Sequence, residues 1–224
     1  MIRISIIGGW EPREQSLDEV ATATSRMLIA MPPLSGHQWV TPIYSGSDRS
    51  DDLRRFAPID PADVTEIASR VAVSTAQVKN MKSPGQLVRF YRRAGDDFPM
   101  TLDVHAGYAK PRNRIVAALK VDDPTTVETQ RLIRAHMAAF IAAWNPSWLE
   151  AGTYDFQKAQ GHSHGQVIVG WDTYISDRVA FDDTVIDGKL ATVRGAAGRY
   201  VTLDGTPAEP SLEQAQLVRK ALRY

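Results

Sequence analysis

Few residue types in this 224-residue chain are spaced for chemistry. His162-Ser163-His164 comes nearest to a metal site, since two imidazoles alternating along an extended segment fall on one face. Gly165-Gln166-Val167-Ile168 follows with no Glu, and no third ligand is visible. Protein metal sites ordinarily use at least three protein ligands. A polar loop is the expectation there, with a metal-dependent hydrolase built on His162 and His164 as the alternative. Gly8-Gly9 follows a first strand, but Trp10-Glu11-Pro12-Arg13 breaks any G-x-G-x-x-G spacing, so no dinucleotide fingerprint forms. No G-x-S-x-G elbow and no H-E-x-x-H motif occurs. His105 and His136 are expected as surface or core-edge residues. No catalytic residue, cofactor or metal is assigned.

Binding residues are easier to nominate. Four Asp-Asp pairs occur, at Asp51-Asp52, Asp96-Asp97, Asp122-Asp123 and Asp182-Asp183. Each falls at an expected turn or helix start, where Asp is favoured by its side-chain bonds to nearby backbone. The alternative is an acidic surface facing a basic partner, which would speed association more than it adds affinity. Five tryptophans are present. Trp144 and Trp171 lie on regular elements and are expected in the core. Indoles are core anchors first and interface anchors second, but Trp10 follows a strand exit and Trp39 opens a strand, so these two are the better candidates for a surface cleft. The candidate partner-binding set is therefore Trp10, Trp39, Asp51, Asp52, Asp96 and Asp97.

The elements that must position these residues follow from pattern. Ile2 to Ile7 predicts a strand closed by Gly8-Gly9. Ser16 and Glu19 form a capping-box pair, and Pro32-Pro33 stops the helix they start. Trp39 to Tyr44 predicts a strand, and Ser45 to Arg55 a polar loop. Asp60-Pro61 predicts a second helix start. Leu87–Arg92, Met100–Val104 and Ile115–Val121 alternate apolar and polar residues and predict an antiparallel meander. Thr125 and Glu128 predict the cap of the longest helix, ended by Asn145-Pro146. Trp148 to Gly165 is expected to be irregular, and Val167 to Ile175 a strand. Asp187-Gly188 predicts a hairpin between Thr184-Val185-Ile186 and Leu190–Arg194. Tyr200 to Leu203 predicts a strand, and Ser211 with Gln214 caps a last helix. Strand runs followed by helices argue an α+β class and one domain over residues 1–224.

Composition bounds the rest. Lys+Arg and Asp+Glu are 26 each, so no whole-protein basic field for nucleic acid exists. There are no cysteines, which excludes disulfides and thiolate chemistry and fits a reducing compartment. No stretch approaches the roughly 20 apolar residues of a membrane span. A cytoplasmic location is expected.

One run carries a family likeness. Val169-Gly170-Trp171-Asp172-Thr173-Tyr174-Ile175-Ser176 resembles the G-W-x-T-Y-[LI]-S strand of the immunity protein 52 family. Gly9-Trp10, the helix ending Trp144-Asn145-Pro146, Asp187-Gly188-Lys189-Leu190 and the C-terminal helix fall in a similar order. Asp172 stands where an apolar residue is commoner in that pattern. The resemblance implies an immunity protein of a bacterial polymorphic toxin system, with no catalytic residues of its own. It would bind and neutralise a cognate toxin domain, in this family usually a nuclease of restriction-endonuclease fold. A secretion-associated adaptor is a further alternative. Trp171 and Tyr174 sit at opposite parity along the strand, so one at most is expected to point squarely into the core.

Overall fold

Helix starts in this chain are set by hydroxyl and carboxylate caps. The computed structural model describes residues 1–43, 55–77, 85–108, 113–161 and 166–224. Helix α1 (Leu17–Ala30) has the predicted capping box, with Ser16 Oγ accepting from Glu19 N and the Glu19 side chain accepting from Ser16 N. Helix α2 (Val64–Ala76) is capped by Asp63, which accepts from Glu66 N. Asp60, the expected cap, instead accepts from Ala62 N in the preceding turn. The cap of α3 (Val127–Trp144) is also displaced, by one residue, with Thr126 accepting from Thr129 N. Thr125 is bound to Asp123 two residues upstream, which removes it as a cap. Asn145 ends α3 in the left-handed conformation at φ 47, and Pro146 cannot continue the helix. Ser211 caps α5 (Leu212–Ala221) as expected.

The chain groups into two compact units, one of residues 11–117 and 142–144, the other of residues 1–10, 118–141 and 145–224. Strand β6 (Asn113–Val121) contributes to both. The first unit holds β2 (Gln38–Pro42), β3 (Phe56–Pro58), β4 (Gln86–Ala94) and β5 (Asp97–Ala106), in hydrogen-bonded order β3-β2-β4-β5-β6. This is the predicted meander with an edge added. Val88, Phe90, Met100, Leu102, Val104, Ile115 and Ala117 form its buried face. Trp144 packs at the end of this core, its Nε1 donating to the Met27 sulfur at 3.0 Å.

The second unit has the order β6-β1-β7-β8-β10-β9, with β1 at Ile2–Trp10, β7 at Trp148–Gly152, β8 at Asp172–Ser176, β9 at Ala191–Arg194 and β10 at Gly198–Thr202. All pairings with assigned register are antiparallel. The α+β class therefore holds. Several local expectations are corrected here. Gly8-Gly9 does not close β1 but lies within it, paired with Leu149 and Trp148. A Cβ on Gly8 would meet the Trp148 carbonyl oxygen at 2.5 Å, so glycine lets β7 approach. The stretch expected to be irregular contains β7 and a short helix α4 (Tyr154–Ala159). Residues 184–186 form no hairpin strand; Asp183–Val185 is a 3-10 turn, and β9 pairs with β10 instead.

The Gly-Trp run is scaffold throughout. Trp171 and Tyr174 are each 2% exposed, so both are core despite their opposite parity. Strand β8 is buried along its whole length, because both of its faces are covered. Gly170 has room for no side chain, since a Cβ would strike the Glu150 carboxylate and the Ala151 carbonyl. Asp172, buried in its turn, is bound by Arg134 Nε at 2.8 Å and by Thr202 Oγ1 at 3.0 Å. The Arg134 guanidinium lies 4.8 Å from the Trp171 ring. Helix α3 and β8 are thus joined by a half-exposed cation on a buried carboxylate. Removing the cation alone strands a buried charge, a change that ordinarily costs several kcal/mol. Arg134→Ala is expected to lower stability by about 3 kcal/mol, and Asp172→Asn in the same chain to recover part of that loss, both read as denaturant midpoints.

Glu150, in the middle of β7, is fully buried. Its Oε1 accepts from Gln157 Nε2 at 2.6 Å, whereas Oε2 has no partner among the described residues. Loss of hydration pushes its pKa well above the ordinary 4.5, and the Gln157 bond only partly opposes this. The folded chain therefore keeps a proton that the unfolded chain releases near 4.5. Its contribution favours folding in acid and declines as pH rises through and beyond that value. Glu150→Gln should keep the acceptor for Gln157 and flatten the fall in thermal midpoint between mildly acidic and alkaline pH. An unchanged slope would assign the pH dependence to other groups.

Candidate functional site

A polar face of the first unit carries the surface with recognition chemistry. Strand alternation puts Arg89, Tyr91 and Arg93 of β4 on the side away from Val88, Phe90 and Arg92. The β4–β5 register shifts between Arg92 and Ala94. Pro99 lies in the bulged stretch, where its missing N–H costs no ladder bond. The bulge gathers three half-buried rings. Phe56 of β3 lies 5.3 Å from Tyr91 and 5.0 Å from Phe98, and Tyr91 lies 5.9 Å from Phe98. The Arg93 guanidinium covers the group, 5.1 Å from the Phe56 ring and 5.3 Å from Phe98. Its Nε donates to the Gly95 carbonyl at 2.5 Å.

Beside this cluster is a pocket of about 570 Å³, bordered by His37, Gln38, Val40, Phe56, Arg93 and Gly95. Gly95 turns the hairpin at φ 56, a conformation that favours glycine. Its neighbours Asp96 and Asp97 stand at the tip. Asp96 is fully exposed and lies 3.8 Å from the Arg93 guanidinium. Asp97 meets His37 Nε2 at 3.3 Å, while His37 Nδ1 donates to the Ser35 carbonyl at 2.7 Å. Aromatic rings under a guanidinium, flanked by exposed carboxylates, make a surface suited to protein recognition. Tyr and Arg are over-represented among residues that dominate interface energy.

Farther along the same face, Arg89 holds Asp103 through two bonds of 2.8 and 2.9 Å. Arg114 Nη2 lies 3.3 Å from His105 Nε2. Burial first, and then the Arg114 charge, lower the His105 pKa to about 4. His105 is thus a neutral acceptor at neutral pH, and the positive charge of this region stays on its arginines.

The sequence-derived candidates separate into three groups. Asp96 and Asp97 lie at the rim of the pocket. Trp10 and Trp39, expected at a surface cleft, are only 2% and 3% exposed, which corrects that placement. Trp39 is covered by the buried Arg92 guanidinium, 4.1 Å from its ring, and Trp10 is held within β1. Asp51, Asp52, His162 and His164 lie outside the described residues. Among the described residues no group of three or more His, Asp or Glu side chains could hold a metal ion, and no helix is long and apolar enough to cross a membrane. Phe56, Tyr91, Arg93, Phe98 and His37 were not singled out from sequence. Tyr91 and Arg93 share the polar side of an alternating strand, a pattern that surface residues ordinarily give. Their convergence with Phe56 depends on a long-range strand pairing.

No family model matches the chain, and no curated protein matches it. Among solved structures it is similar to Pseudomonas aeruginosa T6SS protein PA0821, with a TM-score of 0.59 at 10% identity. The match covers 99% of this chain and 76% of that one. At this identity the likeness is one of fold.

The electrostatics of the site can be tested directly. An NMR titration should place the His105 pKa at about 4, and Arg114→Ala should raise it by removing a nearby positive charge. A His105 titrating in the ordinary range in both proteins would contradict the burial and charge assigned to this face.

Proposed function

We propose that this chain is an immunity protein that binds and neutralises a cognate bacterial toxin, with a nuclease of restriction-endonuclease fold as the toxin. The reading rests on the resemblance of Val169–Ser176 to the Gly-Trp strand of the immunity protein 52 family. The observation that carries it further is the fold likeness, over 99% of the chain, to a Pseudomonas aeruginosa T6SS protein. Such a protein acts by stoichiometric binding in the cytoplasm, without a cofactor and without chemistry of its own.

The surface assigned to the toxin is the Arg93 cluster with its acidic rim. Phe56, Tyr91 and Phe98 supply apolar area, Arg93 a planar donor, and Asp96 and Asp97 a negative edge for a basic groove. A tight complex of this kind buries about 1,200–2,000 Å² in total and concentrates its energy in a few anchors. The patch would supply the centre of such an interface, with its surroundings excluding water.

Co-expression with the toxin domain encoded beside this gene tests the proposal. The two proteins should co-purify, and the chain should rescue growth of toxin-expressing cells. Combining Arg93→Glu with Phe98→Ala should weaken the complex by at least about 2 kcal/mol, roughly thirtyfold in Kd. Failure to co-purify, together with no rescue of growth, would sink the proposal. Co-purification with a secretion component but no rescue would favour the adaptor reading. A tight complex indifferent to the double substitution would move the interface elsewhere.

A further inference from the structure

Among the described residues, strand β9 ends the sheet and pairs only with β10. The sequence predicts a partner for it at 184–186, but Asp183–Val185 is a 3-10 turn, and among the described residues no strand pairs with the outer edge of β9. All four residues of β9 are exposed. Natural edge strands are commonly blunted by Lys, Pro or a bulge. Ala191–Arg194 contains no Lys or Pro, its one charged side chain, Arg194, is held by Asp177 and Asp183, and its register with β10 is regular.

The direction of the free groups follows from the ladder. Gly195 N donates to Gly198 O at 2.8 Å, which makes Gly195 and Gly198 a hydrogen-bonded pair. Bonded and non-bonded pairs alternate along an antiparallel ladder. Val193 opposite Tyr200 is therefore the next bonded pair, while Thr192 and Arg194 turn their N–H and C=O groups outward. These two outward residues flank Val193, whose side chain is 66% exposed.

We infer that a second copy of this chain pairs with β9 through a two-fold axis at Val193. Antiparallel pairing centred there sets Thr192 opposite Arg194 of the other copy, twice, and satisfies all four outward groups. Such an interface uses the same patch on both copies, as two-fold dimers require. Side chains suit the register. Tyr174, Tyr200 and Val193 form one cross-strand row, with the two rings 5.3 Å apart. Burial falls along that row from the 2% exposure of Tyr174 to the 66% of Val193. Pairing extends the row across the axis and covers its exposed end. Charge does not oppose it: Arg194 is bound to Asp177 at 2.8 Å and to Asp183 at 3.1 Å, so each copy neutralises its own cation. A four-residue strand buries less than the roughly 1,200 Å² of a standard interface, so the dimer is weak.

Sedimentation equilibrium of the full chain from about 10 μM to 1 mM tests this. The native protein should show a reversible monomer–dimer equilibrium. Thr192→Pro removes an outward N–H while leaving the bonded pair of Val193 and Tyr200 in place, and Val193→Lys puts a charge on the axis. Each should weaken association at least about tenfold with unchanged far-UV circular dichroism, whereas Val116→Lys, at an exposed valine in the other unit, should not. If Thr192→Pro disturbs the fold, Val193→Lys decides alone. A native chain that stays monomeric over the whole range overturns the inference. So does a dimer that survives the substitutions, or a monomer in which they abolish binding of a different protein.

Discussion

The constraint on which the second unit depends is the close approach of backbone around β7. The strand lies between β1 and β8, and two glycines permit this spacing. Gly8 admits the Trp148 carbonyl, and Gly170 admits the Ala151 backbone with the Glu150 carboxyl. Glycine pays for this with conformational entropy, and the return is a strand pair buried on both faces. The same closeness buries Glu150 with Gln157 as its one side-chain donor among the described residues, so its neutral form belongs to the folded state. It also explains why Trp171 and Tyr174 can both be core. A strand with two covered faces has no solvent side to which parity could consign one of them.

Local chemistry was the most legible part of the sequence. The Ser16–Glu19 box, the Ser211 cap and the Asn145-Pro146 stop depend on residues a few positions apart, and all formed where expected. The two misplaced caps were local as well. At both Asp60 and Asp123 the carboxylate closes a turn onto the residue two positions on, and the helix begins at the next suitable cap. The meander was legible because one of its faces is polar. Strand β7 was not, because Trp148-Leu149-Glu150-Ala151-Gly152 lacks alternation and hides a carboxylate in its centre. Asp187-Gly188 is a strong hairpin signal, yet the segment before it became a 3-10 turn. Asp182 accepts from both the N–H and the hydroxyl of Thr184, and this local competition removes the first strand of the expected hairpin.

The candidate site was legible only at its rim. Asp96 and Asp97 announce themselves as a turn, and turns are exposed. The aromatic base of the site needs β3 beside β2 and β2 beside β4, long-range pairings that no local pattern specifies, whereas β4 beside β5 belongs to the predicted meander. Tryptophan misled for a related reason. An indole anchors interfaces and cores equally well, and its position after a strand exit does not separate the two. Trp39 is withdrawn from solvent by Arg92, an adjacent-strand guanidinium that lies on its ring and donates to the Pro32 carbonyl at 3.5 Å. That cation covers one side of the tryptophan, and nothing in its sequence neighbourhood announces it.

The fold and the proposed binding surface therefore draw on different residues. The scaffold is fixed by glycine contacts at β7, a buried Asp172–Arg134 pair, capped helices and apolar strand faces. Most of these are demands on volume and pattern, which many side-chain combinations satisfy. A fold specified in that way can be shared by two chains that are 10% identical. The Arg93 cluster bears few of those demands, since its rings and carboxylates stand on the polar face of the meander and at a hairpin tip. Residues there can change while the strands beneath them keep their register. The Gly-Trp strand accordingly speaks to architecture, and the proposed chemistry of recognition lies among the half-exposed side chains that the scaffold presents.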